Sequence, residues 1–279
     1  MMKSTPKKLY HYCSIETLLK IIESKSLWLS NCSQMNDAKE SVWVEQYFDL
    51  INESLWSGDF DDFKESLFLH YNWNKNHPYI FCLSEVDDSL GQWRAYSSDG
   101  KGVAIGFNTK MLGLKNELPA PNVYKDNTIG LVKVEYDVRK QKSQIQNLTD
   151  NFGDTHLNRK EDWELVPVYF SKLLIDHSLI FKNPSFSEEK EWRIIHTPVS
   201  SGYEKDNSKI ELSEKKFRAN GFRLTSYFEL NLEKVFNSKL IPEIILGPKS
   251  EVDSQILREL LDQNNLNNTL VKSSISTYK

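Results

Sequence analysis

Apolar positions along the first third of the chain alternate between short runs and helical spacing. Leu9 to Cys13 reads as a short buried strand, apolar except for His11. Ser14 then caps a helix over Ile15 to Ser24, with Thr17 rather than Glu at the reciprocal position and Leu18, Leu19, Ile21 and Ile22 at helical spacing. Leu27 to Leu29 predicts a second short strand, and Ser30 to Asp37 a polar loop in which Asn36 and Asp37 shape a turn. A helix from Ala38 to about Leu55 points Val42, Val44, Tyr47, Phe48 and Ile51 inward, and Ser57 to Asp62 is read as a loop. A further helix is predicted near Phe63 to Tyr71, a strand at Tyr79 to Ser84, and a short helix at Ser89 to Tyr96. After a turn at Ser97 to Gly100, Gly102 to Phe107 forms another apolar strand.

The second half is read the same way. Asn108 to Asn127 is loop-like around a short helical piece, and Ile129 to Tyr136 alternates as a strand. Arg139 to Arg159 is polar and poor in aliphatics, a helix plus a variable loop; a polar insertion therefore lies around 137–160. Glu161 to His177 is an amphipathic helix burying Trp163, Val166, Phe170, Leu173 and Leu174. Phe181 to His196 is a loop followed by a strand. Ser200 to Lys209 is a polar loop, and Phe217 to Leu232 holds two extended pieces around Gly221. Ile241 to Leu246 is a strand, Gly247-Pro248 a turn, Glu251 to Gln263 a helix, and Leu270 to Ser274 a last strand. No internal repeat or linker interrupts this order. The reading is a single α+β domain over residues 1–279, with a mixed, mainly antiparallel split sheet and flanking helices.

Composition narrows the class. The chain has 279 residues, 39% hydrophobic and 27% charged, enough for a packed core. Its net charge of −4 argues against broad non-specific nucleic-acid binding, while leaving room for a local basic surface. Cys13, Cys32 and Cys82 are sparse and odd in number, which reads as reduced thiols in a cytoplasmic protein. No paired Cys or His spacing suggests a zinc site. The N-terminus has basic residues without an apolar stretch behind them, so neither a signal peptide nor a membrane span is expected.

The chemistry concentrates in FKNPSFSEEKEWRIIH, Phe181 to His196. Pro184 blocks a continuing helix and favours an extended Asn183. If a strand starts in the acidic burst, Glu189, Glu191 and Arg193 share one face, with Lys190, Trp192 and Ile194 on the other. Two carboxylates on one face repel each other and can raise one pKa, an arrangement that serves sugar chemistry. The plainer alternative is a solvated edge strand whose charges deter aggregation.

Five pieces stand out together: LYHYCS with the helix after it, SLWLSN, FCLSE with GQWRAY, GVAIGF, and PSFSEEKEWRI. Leu9 to Ser14, Phe81 to Glu85, Trp93 to Tyr96 with Gly100, Phe186 to Arg193 and Glu243 to Pro248 resemble the pattern of the prokaryotic family known as domain of unknown function 2971. More distantly, the layout resembles the ADP-ribosyltransferase superfamily. That resemblance implies an ADP-ribosyltransferase-like fold and NAD as a substrate, with no metal. Glu191 would stabilise the oxocarbenium-like cation formed when the nicotinamide–ribose bond breaks, and Glu189 would orient the acceptor. His11 would hydrogen-bond the adenosine ribose, Ser84 would support Glu191, and Tyr12 or Tyr96 would stack on a ring. Phe186 would be the loop aromatic, with Arg94 and Arg193 beside the ligand. The middle strand departs from the family pattern, carrying Leu83-Ser84-Glu85, and no Gly-rich phosphate loop is present.

Each of these residues also has a plainer role. His11 suits a hydrogen-bonded core position, Ser84 the end of a strand, Trp93 and Tyr96 the core, and Arg94 and Arg193 structural pairing with Glu85, Glu189 or Glu191. Three functions follow. The first is an NAD-dependent transferase acting on a protein or nucleic-acid acceptor, with the role of a toxin or phage-defence effector and an inhibitor or neighbouring defence protein as partner. The second is a non-catalytic nucleotide-sensing or partner-binding module of the same fold. The third, a hydrolase or nuclease, would rest on Glu85, Glu189 and Glu191 without an evident metal-ligand set.

Overall fold

Ser14 begins the first helix as expected: its side chain accepts a hydrogen bond from the Thr17 amide, and Leu18, Ile21 and Ile22 are buried. Lys25, in the left-handed conformation, ends it. The computed structural model describes residues 5–34, 40–55, 61–75, 78–119, 125–152, 166–198, 210–220 and 222–278. Asn36, Asp37, Trp163, Gly221 and the loops read at 57–60 and 200–209 lie outside these residues.

In chain order the structure runs Lys8–Cys13 (β1), Ile15–Ser24 (α1), Ser26–Asn31 (β2), Phe48–Leu55 (α2) and Asp61–Asn74 (α3). Tyr79–Ser84 (β3), Leu90–Tyr96 (α4), Val103–Asn108 (β4), Thr109–Leu112 (α5) and Ile129–Lys133 (β5) follow. Then come Val138–Phe152 (α6), Val166–Ser178 (α7), Glu191–His196 (β6), Glu211–Leu212 (β7) and Lys216–Asn220 (β8). Arg223–Asn231 (β9), Glu243–Leu246 (β10), Ser254–Gln263 (α8) and Leu270–Ser273 (β11) complete the described order.

The chain divides into two compact units. The first comprises 1–30, 79–132 and 188–279 and holds the sheet. Its strands run β11-β10-β4-β1-β3-β2-β9-β7, with β6 beside β3, β5 beside β6 and β8 beside β9. The β1/β4, β3/β6, β2/β9 and β8/β9 pairs are antiparallel. β10 and β11 are parallel, and α8 supplies the crossover that a parallel pair requires. The result is a mixed α+β architecture around an open, mainly antiparallel sheet.

Alternation along each strand sorts side chains between two faces. Leu9, Cys13, Phe81, Leu83, Ile105, Phe107, Trp192 and Ile194 enter the larger core, which α1 and α8 help to close with Leu18, Ile22, Leu257 and Leu261. Tyr10, Tyr12, Trp93, Ala104 and Ile245 form a smaller cluster that includes α4. At roughly 1.5–3 kcal/mol for each large apolar side chain buried, the larger core dominates the stability of this unit.

The second unit comprises 31–78 and 133–187. Its described part is helical, and α3 packs on α7. Buried Gln141 accepts from the Tyr47 hydroxyl at 2.7 Å and the Trp43 indole at 3.0 Å. It donates to the carbonyls of Glu135 and Lys182 at 2.6 and 3.0 Å, so its amide is fully used.

Two elements differ from the sequence expectation here. The single helix expected from Ala38 to Leu55 is a 3-10 segment over Glu40–Tyr47 followed by α2. The Val42-Trp43-Val44 run is poor in α-propensity because branched and aromatic side chains crowd the preceding turn. The strand expected over Ile129 to Tyr136 stops at Lys133; Glu135 instead makes an isolated parallel bridge to Phe181.

Candidate functional site

The acidic stretch folds differently from a continuous strand. Pro184–Glu189 is a 3-10 turn, Lys190 has φ +43°, and β6 begins only at Glu191. The left-handed backbone at Lys190 breaks the extended repeat, so the alternation counted from Glu189 does not carry through to Glu191. Glu189 is therefore not a strand-face partner of Glu191 and Arg193. Those two do share a face, and they close on each other. Arg193 Nε donates to Glu191 Oε1 at 2.8 Å, and Nη2 to Oε2 at 2.9 Å. Glu191 is 5% exposed and Arg193 1%. A buried carboxylate is tolerated when a guanidinium fork meets both of its oxygens.

The partners named from the sequence are divided between the faces of the sheet. Tyr10 lies opposite Ser84, and Ser84 opposite Glu191. Directly opposed residues share a face, so Tyr10, Ser84 and Glu191 lie on one side. His11, the next residue after Tyr10, leaves β1 on the other side, where its ring stacks on Phe81 at 4.1 Å. Its Nδ1 bonds the Cys82 carbonyl at 2.9 Å. The expected convergence of His11, Ser84 and Glu191 on one cleft is thus replaced by Ser84 and Glu191 on one face and His11 on the opposite one. Ser84 itself closes a turn: its hydroxyl donates to the Glu189 carbonyl at 2.7 Å and accepts from the Val86 amide at 3.0 Å. Tyr12 is buried edge-on to Trp93, its hydroxyl donating to Val86 and accepting from the Ser89 amide.

What remains presented to solvent gathers at α4. Gln92 and Trp93 anchor this short helix, while Arg94 and Tyr96 are exposed. The Tyr96 hydroxyl donates to Glu189 Oε1 at 3.0 Å. Gly91 brings the helix close enough that an added Cβ would meet Glu188 Oε1 at 2.9 Å. Arg94 lies 5.7 Å from the Tyr278 ring, and Lys249 lies 3.8 Å from the same ring. Tyr278 and Lys249 both hydrogen-bond Asp99, at 2.8 and 2.9 Å. Phe186 belongs to the second unit, where it is partly exposed with the Lys182 ammonium 4.9 Å from its ring. The α4 surface therefore carries a guanidinium, a phenol and a carboxylate, groups suited to holding a small polar ligand or a charged peptide.

Several residues that organise this face had no local sequence signal. Asp88 accepts from the Trp93 indole, the Ser274 hydroxyl and the Ile275 amide, tying α4 to the segment after β11. Glu243 is buried between Lys8, Lys272 and the Tyr10 hydroxyl. Burial alone would raise its pKa, but hydrogen bonds from Lys272, Lys8 and Tyr10 outweigh that and hold it at about 2. Among the described residues, no group of three His, Cys, Asp or Glu side chains is placed to hold a metal ion, and no helix is long and apolar enough to cross a membrane.

Burial gives the sheet unit a testable acid response. Desolvation lowers the pKa of His11 and of His196 to about 4, against backbone hydrogen bonds to Cys82 and Thr128 that raise them. Their ordinary value is 6.5. Between those values the unfolded chain binds protons that the folded one refuses, so stability rises with pH across the window. Asp176 on α7 acts in the opposite sense, since burial raises its carboxyl to about 7. With His177 on α7, whose pKa burial also lowers, three histidines against one aspartate leave a net loss on acidification. The thermal midpoint should fall between pH 7 and pH 5, and His196→Leu should flatten that fall. An unchanged pH slope in the variant would remove His196 from the account.

No curated protein and no solved structure matches the chain. A family model does match part of the chain. Residues 92–194, which span most of α4 through the Glu191–Arg193 pair, match the family described as "Protein of unknown function (DUF2971)", in support of the resemblance read from the Trp93 to Tyr96 and Phe186 to Arg193 motifs.

Proposed function

We propose that this chain acts as a binding module of ADP-ribosyltransferase-like fold, engaging a nucleotide or a protein partner through Arg94, Tyr96 and Glu189 without cleaving NAD. One observation carries the reading: both Glu191 oxygens are held by Arg193 and the pair is buried. A carboxylate that must meet a developing ribosyl cation has to face the substrate, and its charge has to be unspent until the transition state. The placement of His11 on the far face supports the same conclusion. The mixed, mainly antiparallel sheet, with a histidine on its opening strand and a glutamate on β6, is what supports the ADP-ribosyltransferase-like fold.

The test is nicotinamide release from NAD by the purified chain, beside calorimetric titration with NAD and ATP. The module reading expects no release, with or without cell lysate as acceptor. It also expects Arg94→Ala with Tyr96→Ala to weaken any nucleotide binding that is seen. Release that vanishes in Glu191→Gln at an unchanged melting temperature would overturn it.

A second reading keeps catalysis but moves it. Glu189 is partly exposed and accepts from the Tyr96 hydroxyl, which places it for a ligand on α4. Release abolished by Glu189→Gln and retained in Glu191→Gln would select this transferase.

A further inference from the structure

A second surface lies on the β8–β9 hairpin, and its residues sort cleanly by face. Lys216 lies opposite Tyr227, Arg218 opposite Thr225 and Asn220 opposite Arg223, so Lys216, Arg218, Arg223 and Tyr227 share one side. β2 continues that side, because Ser30 lies opposite Tyr227 and Trp28 opposite Glu229. Phe217 and Leu224 leave the other side, and Phe222 sits at the turn; all three are largely exposed.

The cationic side is prearranged. The Arg218 guanidinium lies 5.3 Å from the Trp28 ring and 5.6 Å from the Tyr227 ring, and its Nη2 donates to the Ser30 hydroxyl at 2.9 Å. Trp28 and Tyr227 themselves lie 4.8 Å apart, and the Lys20 ammonium lies 5.7 Å from the Trp28 ring. Lys216 pairs with Glu229 at 2.7 Å. Neither Arg218 nor Arg223 makes a salt bridge among the described residues. Two arginines and one lysine thus line a sheet face, with Lys20 of α1 beside it, in a chain whose net charge is −4. That charge separation points to a local polyanion site, since the molecule as a whole does not attract one.

We propose that this face binds single-stranded nucleic acid. Phosphates would meet Lys20, Lys216, Arg218 and Arg223, and a base would stack on the Arg218 guanidinium, which lies over the Trp28 and Tyr227 rings. Phe222 at the turn offers a second stacking surface. A polyanion without bases would use the charges and leave the guanidinium plane idle. An anionic bilayer fits less well, because it needs apolar and cationic groups directed at one plane. Here Phe217 and Leu224 point away from Lys216 and Arg218. The inference does not depend on the fate of NAD: a chain that releases nicotinamide and also binds oligonucleotides leaves it intact.

The test uses the full chain with labelled 15-mers of dT and rU, a DNA duplex of equal length, inorganic polyphosphate, and vesicles rich in phosphatidylserine. Both single strands should bind more tightly than duplex or polyphosphate. With about four phosphates engaged, log K should fall against log salt with a slope near −3. Arg218→Ala with Arg223→Ala should weaken binding at least roughly tenfold and shrink the slope by about 1.4. Arg218→Lys should keep the slope while losing affinity, because an ammonium offers no plane for stacking. These exposed or half-exposed positions should leave the circular dichroism spectrum unchanged; Phe222→Ser, at the hairpin turn, gives a second fold-neutral variant that should weaken binding. No binding, equal binding of polyphosphate, or vesicle binding lost in Phe217→Ser would each overturn the proposal.

Discussion

Arg193→Met should lower the folding stability by about 3–5 kcal/mol, because it removes the guanidinium fork that meets both oxygens of the buried Glu191 carboxylate. Glu191→Ala should cost a similar amount by removing the carboxylate that meets the buried Arg193 cation. For a chain of this size that corresponds to a melting point lower by roughly 10 °C. The double variant, Glu191→Leu with Arg193→Met, separates the two components of that cost. Desolvating two charges is expensive, so an apolar pair of similar volume should recover much of the single-variant loss. The combined effect should therefore be well below the sum of the two single effects. The same variants discriminate function. A large loss of stability marks Glu191 as a structural partner in β6 beside β3, whereas a stable Glu191→Ala protein would show that the carboxylate was free to serve a ligand.

The elements that could be read from the sequence are those with local causes. The first helix is specified by Ser14 and by Leu18, Ile21 and Ile22 on one side, all within ten residues. YIFCLS at Tyr79 to Ser84 is legible as a strand because it is a short β-prone run, nearly all buried, with paired strands along its edges. The reading failed where a distant partner decides. Lys190 takes a left-handed conformation while the backbone around it is pinned to the end of β3, the Glu85 amide donating to the Lys190 carbonyl and the Ser84 hydroxyl to the Glu189 carbonyl. Nothing within FKNPSFSEEKEWRIIH foretells those contacts. The face of His11 is likewise a matter of register: Tyr10 rather than His11 lies opposite Ser84, and a shift of one residue would have exchanged their sides. Glu191 and Arg193 were correctly placed on one face by their spacing. Whether such a pair is a site or a clasp depends on burial, which two-residue spacing does not encode. The Asp99, Lys249 and Tyr278 group joins residues about 150 and 180 positions apart and leaves no trace in any one motif.

Gly102→Ala and Gly247→Ala should each destabilise the sheet unit by at least about 3 kcal/mol, as severe overpacking does, while Gly113→Ala should cost only about 1–2 kcal/mol of left-handed strain. A Cβ on Gly102 would lie 2.1 Å from the Cys13 carbonyl oxygen, and one on Gly247 would lie 2.2 Å from the Gly100 carbonyl oxygen. A Cβ on Gly113 would meet nothing within 4 Å. The obstructing atoms are backbone, so no rotamer change relieves the clash. The backbone around them is also held in place: the Gly247 amide donates to the Gly102 carbonyl, the Lys249 amide to the Gly100 carbonyl, and the Gly102 amide to the Ser97 carbonyl, each at 2.9 Å. To admit one methyl group, the chain must move the turn after α4 away from β1 or from the end of β10. Either movement carries Arg94 and Tyr96 with it, since Gly100 is bonded to the carbonyl of Trp93. Urea midpoints of the three variants measure the first part of this statement. Ligand affinity, measured on whatever folded fraction Gly247→Ala retains, measures the second. A Gly102→Ala protein that melts within a few degrees of the parent would mean that β1 and the turn before β4 are less tightly apposed than this packing requires, and the exposed groups of α4 would lose the rigid support on which the binding-module reading depends.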